Sequence, residues 1–398
     1  MKPRATPSFI LILWLLAGGV VPGQVAEWEK LREQARTHYQ LAQYDRATEL
    51  LKEAIGLAEK ARGGDSAEVA KCVNSLAVLY SAKGELDRAL PLFERSLKIN
   101  EKVLGSEHQE VAKVQDNLAG LYVLKARYAE AETLFKRALA NYEKVLGPDN
   151  PETASTVENL GSLYALQNLY AKAEPFYKRA LAAKEKALGP DHPDVGSNLS
   201  NLAAVYREQE RFAEAESLLK RTLTIVEKAL QPNHPDVANV LGNLGTVYVE
   251  QKRFTEAEPF LKRALAIREK TLGPNHPDVA KSLNSLGYLS QERRQFADAE
   301  QLYKRALVIF GKPTGQDHPD QGNCLNNLGA LYLEQERFDL AEPLFKRTLA
   351  ICEKAFGPES VSLANSLENL SKVYRKTERE KEAIALEKRA AAIKAKAR

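Results

Sequence analysis

The chain has 398 residues, with 57 Lys+Arg against 53 Asp+Glu for a formal charge of +4, 44% apolar residues and 28% charged ones. This excludes a wholly disordered chain, a collagen-like one (22 Gly, 18 Pro) and a disulfide framework (three Cys), and its near-balanced charge leaves no footprint for nucleic acid. Length alone suggests two or three domains, and the weight of Ala, Leu, Glu and Lys points to helix.

Residues 1–23 read as an export signal. Lys2 and Arg4 form a basic start, Phe9 to Ala17 is unbroken apolar sequence, and Gly18 to Gly23 supplies small residues near a cut site. The apolar stretch is shorter than the roughly 20 residues a bilayer span needs, so removal after Gly23 is expected to leave no stable membrane span. Removing Lys2 and Arg4 lowers the formal charge from +4 to +2. The expected place is periplasmic or extracellular, the alternative an uncleaved N-terminal anchor.

From residue 24 onward one unit repeats. Leu recurs at 76, 118, 160, 202, 244, 286, 328 and 370, every 42 residues, and Ala recurs at the same interval from 47 to 383. Tyr stands at 80, 122, 164, 206, 248, 332 and 374, and only Ser290 breaks that column. Each period reads as two helices. In the copy that opens at Gly189, Val195, Leu199, Leu202 and Tyr206 make one apolar stripe, and Phe212, Ala215, Leu219, Leu223 and Val226 make a second. The polar turn Glu208–Arg211 is too short for anything but an antiparallel hairpin. Between periods, Gly189 suits the left-handed residue that ends a helix, Pro193 the first helical position, and Asp194 the positive first turn. Positions 77, 119, 161, 203, 245, 287 and 329, directly after the column Leu, are all Ala or Gly, which is expected to let the paired helices approach closely. One pair cannot bury both its faces, so neighbours must stack into an all-α solenoid.

The run Asn-Leu-Ala/Gly-x-x-Tyr, then Tyr/Phe-x-x-Ala, then Lys-Arg-Ala-Leu resembles the tetratricopeptide repeat. The 42-residue period and the Leu-Gly-Pro-Asp/Asn-His-Pro-Asp-Val connector, at 188–195 and 272–279, resemble the kinesin light chain subclass. The resemblance implies a right-handed superhelix of about nine antiparallel helix pairs. It departs from kinesin light chains before the repeats, where an export signal stands in place of a heptad coiled coil, so the motor-cargo role is not carried over.

Residues 24–62 read as a degenerate first pair that caps the stack, with Gln34 in place of the column Leu; residues 63–398 read as eight repeats, the last also a cap, with Glu380 and Glu387 at formerly apolar positions. Gly311 and Pro313, within 310–316, fall where other copies still read as helix, so that second helix is expected to stop early and the stacking angle to change there.

No catalytic centre is expected, and no cofactor. His108, His192, His234, His276 and His318 share one connector phase, but equivalent residues in adjacent repeats lie roughly 18–20 Å apart at two helix spacings, far beyond the about 2 Å of a zinc ligand; they are expected to cap helices. Recurring acidic pairs such as Glu214/Glu216 read as a solvated face, because an enzyme needs one site and not one per repeat. Cys72, Cys324 and Cys352 read as small core residues. The function expected is a non-enzymatic scaffold for protein or peptide partners. Asn recurs before the column Leu at 117, 159, 201, 243, 327 and 369, although it is a mediocre helix former. The resemblance implies that these asparagines line a concave peptide groove; the alternative is that they bond neighbouring helices together. By phase, Lys71, Asn74, Lys113, Asp116, Asn239, Lys281, Asn284, Asn323 and Asn326 join the same face. A structural protein acting through its ends or convex face, self-association included, and a regulatory subunit of an enzyme complex are the alternative readings.

Overall fold

The computed structural model of the chain describes residues 26–311 and 319–396; the expected export signal, Pro313 and His318 lie outside the described residues. The helices come in pairs: α1 (Glu27–Gln40) and α2 (Tyr44–Arg62), α3 (Ala67–Ala82) and α4 (Leu86–Leu104), α5 (Gln109–Leu124) and α6 (Tyr128–Leu146). Then come α7 (Pro151–Leu166) and α8 (Tyr170–Leu188), α9 (Pro193–Glu208) and α10 (Phe212–Ala229), α11 (Pro235–Glu250) and α12 (Phe254–Leu272). Last are α13 (Pro277–Glu292) and α14 (Phe296–Phe310), α15 (Pro319–Glu334) and α16 (Phe338–Phe356), and α17 (Ala364–Lys376) and α18 (Glu380–Lys396), with a short 3-10 turn before α17. Among the described residues there is no strand. The described residues form an α-solenoid of nine helix pairs. It divides into two compact units, one reaching Pro190 apart from the turn at 167–169, the other starting at Asp191.

Every junction follows from a residue type. The turn inside each pair has one residue with a left-handed backbone, and these fall 42 residues apart: Ala42, Gly84, Ala126, Asn168, Glu210, Lys252, Arg294, Glu336 and Glu378. Between pairs, Gly63, Gly105, Gly147, Gly189, Gly273 and Gly357 end their helices at φ of +82 to +89°. Gln231 stands where this Gly is missing, and α10 ends early, at Ala229. The histidines cap as expected. The Nδ1 atoms of His108, His192, His234 and His276 each accept the backbone N–H two residues on, at 3.1–3.2 Å, and Asn150 Oδ1 does the same at 2.9 Å. At the seam α14 stops after 15 residues, against 19 in α12 and α16, as Gly311 and Pro313 led one to expect.

The packing columns hold throughout. All nine column alanines from Ala47 to Ala383 have 0% exposure. The small-residue column works differently from expectation: the room is taken mainly by a large side chain of the paired helix rather than by its backbone. A Cβ added at Gly329 would lie 2.8 Å from the Phe345 ring, and one at Gly287 2.7 Å from the Tyr303 ring. Phe93, Phe135, Tyr177, Leu219, Leu261, Tyr303 and Phe345, all buried, fill this position in successive pairs from α3–α4 to α15–α16. At the C-terminal end, Glu380 and Glu387 both hold Arg375, at 2.6 and 2.8 Å, which keeps the outer face of the last pair polar.

Candidate functional site: the face of the first helices

Within a unit, each second helix packs on the first helix of the next pair, and first helices such as α11, α13 and α15 also touch one another in turn. The Asn column lies along these contacts. Asn117 Nδ2 donates to Asn74 Oδ1 (3.3 Å), Asn159 to Asp116 Oδ2 (3.0 Å), Asn327 to Asn284 Oδ1 (3.1 Å) and Asn369 to Asn326 Oδ1 (3.5 Å). Bonds between neighbouring helices are therefore present at four rungs, and Asn117, Asn159, Asn284, Asn326 and Asn327 are buried. Asn201 and Asn243 are half-buried; Asn243, whose counterpart one helix back is Ser200, makes no such bond.

The remaining candidates stay accessible. Lys71, Asn239 and Lys281 are exposed, and Asn74, Lys113 and Asn323 are half-buried. Asn239 Oδ1 accepts from Arg268 Nη2 at 2.7 Å. Burial lowers the Lys113 ammonium, with Arg32 and Lys71 pushing the same way against Glu110. Asp116 on this face is perturbed as well: burial raises its carboxyl to about 6, against the opposing hydrogen bonds from Thr156 and Asn159.

Sequence reasoning missed the joint between repeats. Glu216 on α10 accepts from Tyr248 Oη (3.0 Å) on α11, from Arg253 Nη1 (2.6 Å) in the following turn, from Gln251 Nε2 (3.3 Å) and from Lys220 Nζ (2.8 Å). Against the cost of burial, these four donors hold its carboxyl down at about 2. Glu216 is thus pinned in the stack and not part of a solvated face. The same arrangement recurs with Glu132 and Tyr164, and with Glu300, Tyr332 and Arg337. The guanidinium also lies over the tyrosine ring, at 4.4 Å for Arg253 on Tyr248 and 3.7 Å for Arg379 on Tyr374. At the Tyr248 and Tyr332 rungs the column Tyr, the turn arginine and a glutamate of the preceding second helix form a three-way clasp. A second miss is Lys184 and Glu158, an ion pair between α8 and α7 with side chains only 5% and 6% exposed.

The second helices spend many of their charges on one another, as Arg95–Glu59, Arg263–Glu227, Arg305–Glu269 and Arg389–Glu353 show, each at 2.5–2.6 Å. On the first-helix face Lys71 and Lys113 have no ion pair among the described residues. Among the described residues no group of three or more His, Cys, Asp or Glu is placed to hold a metal, and no helix is long and apolar enough to cross a membrane. Cys72, Cys324 and Cys352 are buried free thiols, with Cys72 pushed up to about 11 by burial.

Stacked antiparallel helix pairs with a polar row of first-helix side chains define a helical-repeat protein. The chain belongs to the tetratricopeptide repeat family: that family's sequence pattern matches residues 29–102, 73–144, 110–186, 157–228, 194–270, 236–312 and 314–396. No curated protein matches the chain. Among solved structures it is similar to the nearly identical repeats of a Podosopora anserina protein assigned to the kinesin light chains, at 26% identity over 51% of this chain and 95% of that one, TM-score 0.46. It is similar to aspartyl phosphate phosphatase F of Bacillus subtilis at 16% identity over 94% and 96% of the two chains, TM-score 0.57. RapI matches at 16% identity over 71% and 97%, TM-score 0.55. The last two likenesses concern the fold alone.

Proposed function

We propose that this chain is an exported, non-enzymatic scaffold that binds extended peptide segments of partner proteins on the face of its first helices. The observation that carries the reading is the unequal use of polar groups. Charges on the second helices are tied to each other repeat after repeat, whereas Lys71, Lys113 and Asn243 on the first helices have no side-chain partner among the described residues. Membership of the tetratricopeptide family, whose repeats serve protein recognition, supports it. Peptides that lie along helices use many shallow polar contacts, so moderate affinity and dependence on several rungs are expected.

The test is fluorescence anisotropy of a panel of extended peptides against the full chain, repeated with Lys71→Ala/Lys113→Ala and with Asn239→Leu/Asn243→Leu. Loss of binding with helical content unchanged supports the face as the site; binding that survives both pairs refutes it. Export is supported by the basic start, the apolar run and the small residues of 1–23. Mass spectrometry of the mature protein tests it, and an intact Met1 on secreted material would overturn cleavage.

A further inference from the structure

In the C-terminal unit the carboxylates of the first helices form two rows. Asp194, Asp236, Asp278 and Asp320 stand in the first turns of α9, α11, α13 and α15, where the helix dipole favours them. Glu208, Glu250, Glu292 and Glu334 are the last residues of the same helices, where the dipole disfavours an anion. In the N-terminal unit the same position holds Ala82, Leu124 and Leu166, so the fold itself does not require a carboxylate there.

The chain bridges some of these carboxylates with its own cations. Lys281 Nζ lies 3.1 Å from Asp278 Oδ1 and 3.1 Å from Asp320 Oδ2, spanning α13 and α15. Arg207 Nη2 lies 2.6 Å from Glu208 Oε1 and its Nε 3.8 Å from Glu250 Oε2, spanning α9 and α11. Two repeats beyond Arg207 the equivalent residue is Gln291, a neutral amide that reaches Glu334 Oε2 at 3.4 Å. Glu292 and Glu334, both exposed, are left without an ion pair among the described residues. One turn before Glu292 stands Tyr288, half-exposed, where the neighbouring first helices carry Ala204, Thr246 and Ala330. Glu292 lies one helical turn along from Tyr288 on the same face of α13, and burial, the charges of Glu292 and Glu250 and a hydrogen bond with Glu292 push the Tyr288 hydroxyl up.

We propose that this face seats a basic, extended segment of a partner protein, with a Lys or Arg side chain lodged on Tyr288 between Glu292 and Glu334. The inference rests on the peptide-binding reading and adds the chemical class of the peptide. The incoming cation would do between α13 and α15 what Arg207 does between α9 and α11, with the tyrosine ring contributing a cation–π face, and Asn243 and Asn323 would offer amides to the peptide backbone.

The experiment is anisotropy of three labelled peptides of equal length, Lys/Arg-rich, Glu/Asp-rich and neutral polar, against the full chain at two salt concentrations. The basic peptide should bind best and weaken with salt. Glu292→Gln/Glu334→Gln should weaken it about tenfold, the sum of two exposed charge contacts, and Tyr288→Ala about threefold with Tyr288→Phe near wild type. Asp298→Asn/Asp339→Asn on the second helices should leave it unchanged. A basic peptide that ignores Glu292→Gln/Glu334→Gln, or that weakens equally with the second-helix pair, overturns the inference, as does a preference for the acidic or neutral peptide; that preference leaves the peptide-binding reading standing. Failure of all three peptides to bind sinks the reading itself.

Discussion

Asp116 occupies a rung of the first-helix ladder where Asn74, Asn284 and Asn326 stand elsewhere. Its Oδ2 accepts from Asn159 at 3.0 Å, while Oδ1 is buried with no partner. The two groups that oppose burial, Thr156 and Asn159, are both neutral, so the carboxyl is raised from 3.8 to about 6. Tyr142 on α6, with Glu110 and Glu152 also acting on it, faces the same region and adds no positive charge. Because the folded state binds this proton more tightly than the unfolded chain, its contribution to stability is fully present below pH ~4 and is lost as pH rises through ~6. A shift of about two pKa units corresponds to roughly 3 kcal/mol. Asp116→Asn keeps the acceptor for Asn159 and removes the charge, but it places an amide N–H₂ where Oδ1 had no partner, at a cost of about 1 kcal/mol. The expected net result is a variant about 2 kcal/mol more stable than wild type at pH 8 and slightly less stable at pH 4. The assay is urea unfolding across pH 4–8 with amide exchange read on α5, α6 and α7, since repeats open locally. Parallel pH profiles for wild type and variant would refute the reasoning.

Three further sets of substitutions test the packing, the buried pair and the turns. Gly329→Ala and Gly120→Ala are the same change with opposite expected signs: the first drives a Cβ to 2.8 Å from the Phe345 ring, the second meets nothing within 4 Å. Chemical denaturation should show Gly329→Ala destabilised by up to about 2 kcal/mol, overpacking outweighing the helix-propensity gain, and Gly120→Ala stabilised by about 1 kcal/mol. Lys184→Met should cost about 3–5 kcal/mol by stranding the Glu158 carboxylate from its buried cation, and adding Glu158→Leu should restore most of it; equal losses in the single and double variants would show that the pair is not coupled. Lys252 is an exposed non-glycine residue at φ +60°, so Lys252→Gly should stabilise the α11–α12 turn by about 1 kcal/mol in thermal unfolding, and a loss would mean that the left-handed backbone carries no strain there.

The helix pairs, their turns and their caps were legible in the sequence because each depends on residues close in the chain. Gly189 and Pro193 mark their own junction, and His192 caps the helix that begins one residue later. What stayed hidden depends on residues about one repeat apart. The asparagine column could be seen, but Asn117, Asn159, Asn327 and Asn369 each bond a residue 43 positions back, one place off their own column, so the acceptors Asn74, Asp116, Asn284 and Asn326 looked like separate groove residues. Glu216 lies 32 residues from Tyr248 and 37 from Arg253, so a carboxylate that looked solvated is the centre of a joint. Glu158 and Lys184 are 26 residues apart, and nothing in the chain near either one marks it as half of a buried pair.

These offsets also explain a coincidence that the columns alone leave unexplained. In the α13–α14 pair the column Tyr is Ser290, and in the same pair the turn Arg, present as Arg211, Arg253, Arg337 and Arg379, is Gln295. At Tyr248, Tyr332 and Tyr374 the guanidinium stacks on the ring and also bonds a glutamate of the preceding second helix; without the ring, an arginine at that turn has less to hold it. The carboxylate left behind, Glu258, is met instead by Arg293 at 2.6 Å. Tyr164 shows the other half of the rule. With Leu169 at the arginine position it keeps its bond to Glu132 at 2.8 Å, because the hydroxyl needs only the glutamate. The guanidinium therefore depends on the ring more than the ring depends on the guanidinium. Tyr248→Phe, which keeps the stack and deletes the hydroxyl, should disturb the joint less than Tyr248→Ser, and Arg253 should order Glu216 in the first variant but not in the second.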